Sequence, residues 1–498
     1  MPRVRAPELP ADFPWLNFPG PLSLRSLRGR VVLLDFWTYG CINCLHVLPD
    51  LHALEQRYGD RLQVIGIHTG KFSQEQHPAS VEQAIARYGI RHPVVVDQNQ
   101  YLWDQYAIKA WPTLVLIDPA GYVVTQRAGE GHSDTFDRQI GELLAGRSPD
   151  SGAPAPEQPI ASPLAFPGKV AIGAIAQENH LFVADTGHHR LVIATLEGKV
   201  RATVGSGTPG YQDGPWETAQ FRAPQGLTYD PAGDRLYVAD TGNHLIRCVH
   251  GRSRTVTTLA GTGQQNRSLR PQQGRRLETP LNSPWDVALK GDRLFIAMAG
   301  SHQIWVLSLT EDAVGTLLGT GAEACIDGTA SEATFAQPSG LAIDGDTLYV
   351  ADSESSSVRA ISLADPPSVQ TLCGSGGLFD FGDREGRGDR ARLQHCLGLA
   401  HGPGNLWIAD TYNHKIKRLN LAEGHCVNIV GSGLPGHQDG WGPEASFSEP
   451  SGLASEGQTL YIADTNNHAI RRWDWATQQV TTFCFEGLCA PHLCVPPR

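Results

Sequence analysis

At 498 residues, with 41% apolar and 18% charged side chains, the chain has the composition of a folded protein and a length that calls for two or three domains. A formal net charge of −11 gives no basic surface for nucleic acid or for an anionic membrane. No apolar run reaches the roughly 18 residues of a transmembrane helix, and charges and prolines interrupt the opening MPRVRAPELPADFPWLNF where a secretory signal needs an apolar core; a cytoplasmic, reducing setting with the cysteines mostly as thiols is therefore expected.

The first 146 residues alternate strand and helix. VVLLDF (31–36) is a continuous apolar run, the pattern of a strand buried on both faces. Val47, Leu48, Leu51, Leu54 and Tyr58 then recur on one helical face. LQVIGI (62–67) predicts a second buried strand, and SVEQAIARYG (80–89) a helix stopped by its glycine. PVVVD (93–97), TLVLID (113–118) and YVVTQR (122–127) predict further strands, with TFDRQIGELLAG (135–146) as a closing helix. This is the grammar of βαβ units and an α/β domain over 1–146. Residues 147–162, RSPDSGAPAPEQPIAS, have the composition of a linker.

From residue 163 the period changes. One strand–turn unit appears six times, as LFVADTGHHRL, LYVADTGNHLIR, LFIAMAGSHQIW, LYVADSESSSVR, LWIADTYNHKIKR and LYIADTNNHAIRR. Its reference position falls at 185, 240, 298, 352, 410 and 464, so the period is 54 to 58 residues. A second element keeps step with it: FRAPQGL, LNSPWDV, FAQPSGL, LQHCLGL and FSEPSGL. Six such units predict an all-β, six-bladed propeller over 163–485, followed by a tail over 486–498. Ring closure is expected to join the first strand (166–175) with the last (479–485), because closure removes exposed edges.

Chemistry concentrates at Cys41-Ile42-Asn43-Cys44, between the first strand and its helix. A helix N-terminus stabilises a thiolate, and two cysteines three apart on the first turn can close a small disulfide ring. The more exposed first sulfur is the expected attacking group and the second the resolving one. Half a zinc site has the same spacing, but no second Cys-x-x-Cys and no histidine pair at finger spacing follows. No metal is expected.

VVLLDFWTYGCINCLHVLPDL (31–51) resembles the active-site segment of the thioredoxin superfamily. The resemblance implies that Asp35 is the buried acid beneath the dithiol, Trp37 the aromatic beside it, Cys41 and Cys44 the redox pair, and Pro49 the kink of the helix. AIKAWPTLVLID (107–118) resembles the segment that carries the family's cis-proline, which implies a cis Trp111–Pro112 bond beside the disulfide. Trp37, Thr38, Tyr39 and Trp111 are the expected walls of a binding groove. The stretch 62–97 is similar to the insertion of the TlpA and peroxiredoxin branches. Gly40 and the Ile-Asn dipeptide depart from the commoner pattern. Over residues 15–485 the chain resembles the NHL-repeat-containing protein two family, on CINC, FPGKV, ADTGHHR, SPWDV, AMAGSHQIW, FAQPSGL, ADSESSS and ADTYNHKIK. The fold class expected is thus a thioredoxin-like α/β domain followed by an NHL propeller.

The reading that follows is a thiol–disulfide oxidoreductase with no cofactor beyond its redox-active disulfide, acting on a protein thiol or disulfide. Asp35 assists proton transfer, Pro112 shapes the groove, and the propeller holds a protein partner. The rival is a scaffold whose thioredoxin fold only docks; Thr38, three residues before Cys41, admits a lesser peroxidase reading. His46 is expected to face solvent. Asp185, Asp240, Asp352, Asp410 and Asp464 are expected to cap their own turns, since short carboxylates accept turn N–H groups and the third blade manages with Met298. The histidines His188, His244, His302, His414 and His468 are expected at one turn of separate blades, too far apart for a metal. Neither 205–210 nor 431–436 is a dinucleotide site, although both match Gly-x-Gly-x-x-Gly, because no helix follows. Cys484, Cys489 and Cys494 are expected in a loose tail.

Overall fold

A computed structural model describes residues 3–145 and 160–493. The chain forms two compact units, Met1–Gln158 and Pro159–Arg498.

The first unit is a six-stranded sheet. Its strands are β1 (Trp15–Leu16), β2 (Val31–Trp37), β3 (Leu62–His68), β4 (Val94–Val96), β5 (Thr113–Ile117) and β6 (Val123–Ala128), in the order β1-β4-β3-β2-β5-β6. β2 pairs in parallel with β3 and antiparallel with β5, which places it at the centre. All seven of its residues are buried, and alternate side chains face opposite layers. Val31 and Leu33 pack with Val47, Leu51 and Leu54 of α1 (Ile42–Tyr58) and Phe136 and Ile140 of the closing helix Ser133–Leu143. Val32, Leu34 and Phe36 face Leu102, Tyr106 and the N-terminal Leu9, Leu24 and Leu27. Between β3 and β4, α2 (Pro78–Tyr88) starts at its proline and stops at Gly89, whose φ of 61° is the left-handed conformation that ends helices cheaply in glycine.

The second unit consists of six consecutive antiparallel sheets, the six blades of the propeller. Blade 1 uses Val170–Ile175, Glu178–Asp185, Arg190–Thr195 and Val200–Val204. Every later blade adds a fifth, two-residue strand at its outer edge, such as Gly214–Pro215 on blade 2, supplied by the loop arriving from the previous blade.

Three expectations need correction. The first strand and the last do not share a blade: Val170–Ile175 belongs to the first sheet and Gln479–Phe483 to the sixth. Instead the ring closes through loops and the C-terminal segment. Ser451 Oγ donates to Gly168 O at 2.7 Å and Thr465 Oγ1 to Pro167 O at 2.9 Å. Glu486 bridges Lys199 in parallel at the outer edge of blade 1, where the other blades have a fifth strand. Second, the described part of the tail is therefore not loose; Cys489 is disulfide-bonded and its carbonyl accepts from Arg190 at 2.8 Å, while Cys484 is an exposed free thiol and Cys494 lies outside the described residues. Third, Ile160 O accepts His188 Nε2 at 3.1 Å, so the end of the expected linker already belongs to blade 1; the remainder, 147–159, lies outside the described residues.

Candidate active site

β2 ends at Trp37, and the chain turns through Thr38, Tyr39 and Gly40 into α1. Cys41 is the N-cap of α1 and has extended backbone angles. Its sulfur belongs to a half-buried residue, whereas Cys44, one turn further, is buried. Both are free thiols. Burial, the hydrogen bond with Cys41 and that residue's charge all push the Cys44 thiol well up, so it stays protonated until its neighbour reacts. An outer sulfur over an inner, reluctant one is the arrangement the spacing predicts for an attacking and a resolving thiol.

Asp35 lies on β2 opposite Gly66 and Leu114. Its side chain is fully buried and neither carboxylate oxygen has a hydrogen-bond partner. Burial raises its pKa to about 7, against a smaller downward pull from His92. Its charge also contributes to raising Cys44. The buried carboxyl thus titrates near neutrality, has unpaired oxygens, and is close enough to Cys44 to bias its thiol toward the protonated form.

The Trp111–Pro112 bond is cis, Pro112 is buried, and Pro112 O accepts Gly129 N at 2.8 Å. Trp111 stands half-exposed with its ring 4.3 Å from that of Trp103. The other expected groove residues are corrected by burial. Trp37, Thr38 and Tyr39 are all at most 2% exposed. They pack inward around His68, which meets Trp37 edge-on at 4.9 Å and stacks on Tyr39 at 5.5 Å. They support the dithiol loop from beneath; of the four, Trp111 alone reaches the surface. Burial lowers the His68 pKa to about 3, so this support is a neutral ring.

His46 is likewise not solvent-facing: its Nδ1 lies 2.6 Å from Glu130 Oε2, on the loop after β6. The sequence reading also missed Glu75. Fully buried in the insertion, it accepts Gly40 N at 2.9 Å through Oε1, and Lys71 N at 2.8 Å and Phe72 N at 3.0 Å through Oε2. One carboxylate thus ties the insertion to the residue before Cys41. Three N–H donors converge on it from two loops, a long-range pattern that no local motif announces.

On the propeller, each repeat aspartate holds its own turn through Oδ2, bonded to the side chain three residues on (His188, Asn243, Ser355, Asn413 and Asn467), and also anchors a second segment of the same blade. Each Oδ1 accepts the N–H of the segment ahead of its own blade's inner strand: Ala165 for Asp185, Arg222 for Asp240, Ala336 for Asp352, Gln394 for Asp410 and Ser448 for Asp464, at 2.7 to 2.8 Å. Four of them bind a buried cation seven residues on. Arg247, Arg359, Lys417 and Arg471 lie 2.8 to 3.2 Å from Asp240, Asp352, Asp410 and Asp464. In blade 1 Arg190 serves Asp185. In blade 3, Met298 stands for the acid and Trp305 for the cation, both fully buried. A change of both partners together marks a structural pair, since either charge left alone would be buried without compensation.

The propeller axis carries a second feature. At or near the start of the inner strand four blades carry a glycine, Gly226, Gly340, Gly398 and Gly452, where a Cβ would collide with the neighbouring blade. Blades 1 and 3 have Lys169 and Asp286 there instead. Lys169 Nζ lies 3.9 Å from Asp286, and it also donates to the carbonyl of Leu397 and, at 3.4 Å, to that of Ser451. Beyond this pair lies a cavity of about 360 Å³ lined by Ile172, Leu289, Ile343, His401 and Ser455 among others. The two departures from glycine were visible in the aligned repeats.

Comparison with known proteins agrees with both units. A Thioredoxin-like family model matches residues 29–123, and the NHL repeat model matches 221–249 and 335–361. The chain is 42% identical over 495 residues to Protein SUPPRESSOR OF QUENCHING 1, chloroplastic, of Arabidopsis thaliana, covering 94% of this chain and 46% of that protein, so it spans about half of that relative's length. It is 25% identical over 144 residues to the thiol-disulfide oxidoreductase YkuV of Bacillus subtilis, covering 29% of this chain and 96% of that protein. With NHL repeat-containing protein 2 of Homo sapiens it shares 39% identity over 532 residues, 96% of this chain and 71% of that protein. A thioredoxin-like unit with this dithiol, followed by this propeller and matched nearly end to end, makes the chain a member of the NHL repeat-containing protein 2 family.

Proposed function

We propose that the protein is a thiol–disulfide oxidoreductase that reduces a disulfide in a protein substrate. The observation that carries this reading is the half-buried Cys41 at the start of α1, above the buried, protonated Cys44. Cys41 thiolate attacks one substrate sulfur. The substrate S–S bond breaks, and the leaving sulfur takes up a proton. Cys44 then gives its proton to Asp35 and attacks Cys41, which releases the second substrate sulfur. The substrate gains two electrons, and the protein is left with a Cys41–Cys44 disulfide for an external dithiol to reduce. No other cofactor is required. Pro112 and Trp111 would flank the substrate, while the propeller, a fold of rigid loops suited to recognition, would hold a protein partner. No described helix is long and apolar enough to cross a membrane. Eight free cysteines among the described residues suit a reducing compartment such as the cytoplasm.

Reduction of insulin disulfides under a dithiol donor tests this. Turnover that disappears in Cys41→Ser, and a Cys44→Ser variant that accumulates mixed disulfides through Cys41, support it. A wild-type pair that neither turns over nor reacts with alkylating agents would favour the scaffold instead.

A further inference from the structure

Each seam between consecutive blades buries the last residue of one outer strand with a residue at the start of the next. The pairs are Val204 with Val256, Ala260 with Val314, Leu318 with Val369, and Val430 with Val480. Between blades 4 and 5 the same two positions hold Cys373, which ends the strand Ser368–Cys373, and Cys426, the second residue of His425–Val430. Both are fully buried free thiols within one cluster. Two positions that are aliphatic at the other four of these seams therefore hold two sulfurs here. A hydrogen bond with Cys373, and then burial, hold the Cys426 thiol protonated. A third cysteine of the cluster, Cys396, donates to Ser357 O at 3.6 Å.

We propose that Cys373 and Cys426 are an oxidative modification site, at which a peroxide forms a reversible disulfide linking blade 4 to blade 5. One sulfur attacks the peroxide; the O–O bond breaks, a sulfenic acid forms and a first water leaves. The second sulfur attacks that sulfenic sulfur; the S–O bond breaks, the S–S bond forms and a second water leaves. Two thiols are oxidised, one hydrogen peroxide is reduced, and both thiol protons end in water. Protonated thiols react slowly, so the link forms over a long exposure rather than in a burst.

The test treats the full chain with hydrogen peroxide, alkylates the remaining thiols, and maps cross-linked peptides by mass spectrometry. The expected result is a peptide pair joining Cys373 to Cys426 that disappears under dithiothreitol. It should come with a rise of a few degrees in the propeller's unfolding midpoint, since the link constrains the unfolded chain. Cys373→Val/Cys426→Val, which copies the neighbouring seams, should fold and show no such rise. Recovery of both cysteines as alkylated thiols in a sample whose Cys41–Cys44 pair is fully oxidised would overturn the proposal. So would a link from either of them to Cys396. The mapping uses the native chain, so it stands even if the double variant does not fold.

Discussion

His468 accepts the backbone N–H of Phe166 through Nδ1 at 3.1 Å, across the seam between the last blade and the first. It is one of six such bonds. Ala223 donates to His189, Ser283 to His244, Gln337 to His302 and Glu449 to His414, at 3.0 to 3.1 Å. At the seam between blades 4 and 5 His395 N donates to Ser356 Oγ at 3.1 Å. Donor and acceptor residues alike have φ between 45° and 58°. The register also corrects the sequence alignment: His189, not His188, is the first member of the histidine set. His188 instead bonds Asp185 at 3.0 Å.

Removing one latch should weaken the ring. His468→Ala leaves the Phe166 N–H without its acceptor at the one seam where the chain is not continuous. The expected loss is about 1–2 kcal/mol of propeller stability, read by urea denaturation. His468→Ser, which imitates Ser356, should lose less. Equal losses in the two variants would rule out the hydrogen bond as the cause.

The His189 latch should also make the propeller acid-sensitive. Burial, with help from Arg222, depresses His189 to about 4. In the unfolded chain the ring protonates near 6.5. Between these values the unfolded state binds a proton that the folded state refuses. Stability is therefore full above pH 6.5 and falls as the pH drops toward 4. Urea midpoints across this range should decline, and His189→Ser should flatten part of the decline.

Asp35 gives the opposite sign. Its folded pKa of about 7 lies above the ordinary 3.8, so the folded state keeps a proton that the unfolded state has released. Its contribution lowers stability as the pH rises from about 4 to 7. Asp35→Asn should thus stabilise the first unit at pH 8. The same substitution removes the base proposed for Cys44, and the resolving step should slow by roughly 10²-fold. Stopped-flow release of substrate thiol should show the wild-type rate rising through pH 7 and the variant's rate flat there.

The buried pairs can be tested by imitation. Arg247→Ala strands Asp240 in the core and should cost about 3–5 kcal/mol. Asp240→Met combined with Arg247→Trp copies Met298 and Trp305 of blade 3. Thermal unfolding of this double variant should recover most of the loss; a double variant as unstable as the single one would contradict the reading of blade 3.

Much of this was legible in the sequence because it is local or repetitive. The apolar run of β2 and the Cys41-x-x-Cys44 spacing sit within 14 residues, 31–44, and six copies of one unit announce six blades. Met298 with Trp305, and Lys169 with Asp286, were legible in principle as paired departures from the repeat. What stayed hidden depends on distant chain. His46 looks exposed on a helical wheel until Glu130 arrives, 84 residues later. Glu75 looks like a surface acid until two loops aim three N–H groups at it. Trp37, Thr38 and Tyr39 follow a strand in the sequence, and only the His68 ring from β3 turns them inward. The closure failed for a related reason: periodicity counts blades, but it does not say whether the last is completed by a strand or by the Glu486 segment.

The lysine–aspartate contact at Lys169 and Asp286 has a consequence for the cavity beside it. Glycine at those two positions would leave the cavity without a charged group at that end. With Lys169 and Asp286 in its wall, a small solute that enters meets an ammonium and a carboxylate side by side, a zwitterionic patch among aliphatic side chains such as Ile172, Leu289 and Ile343.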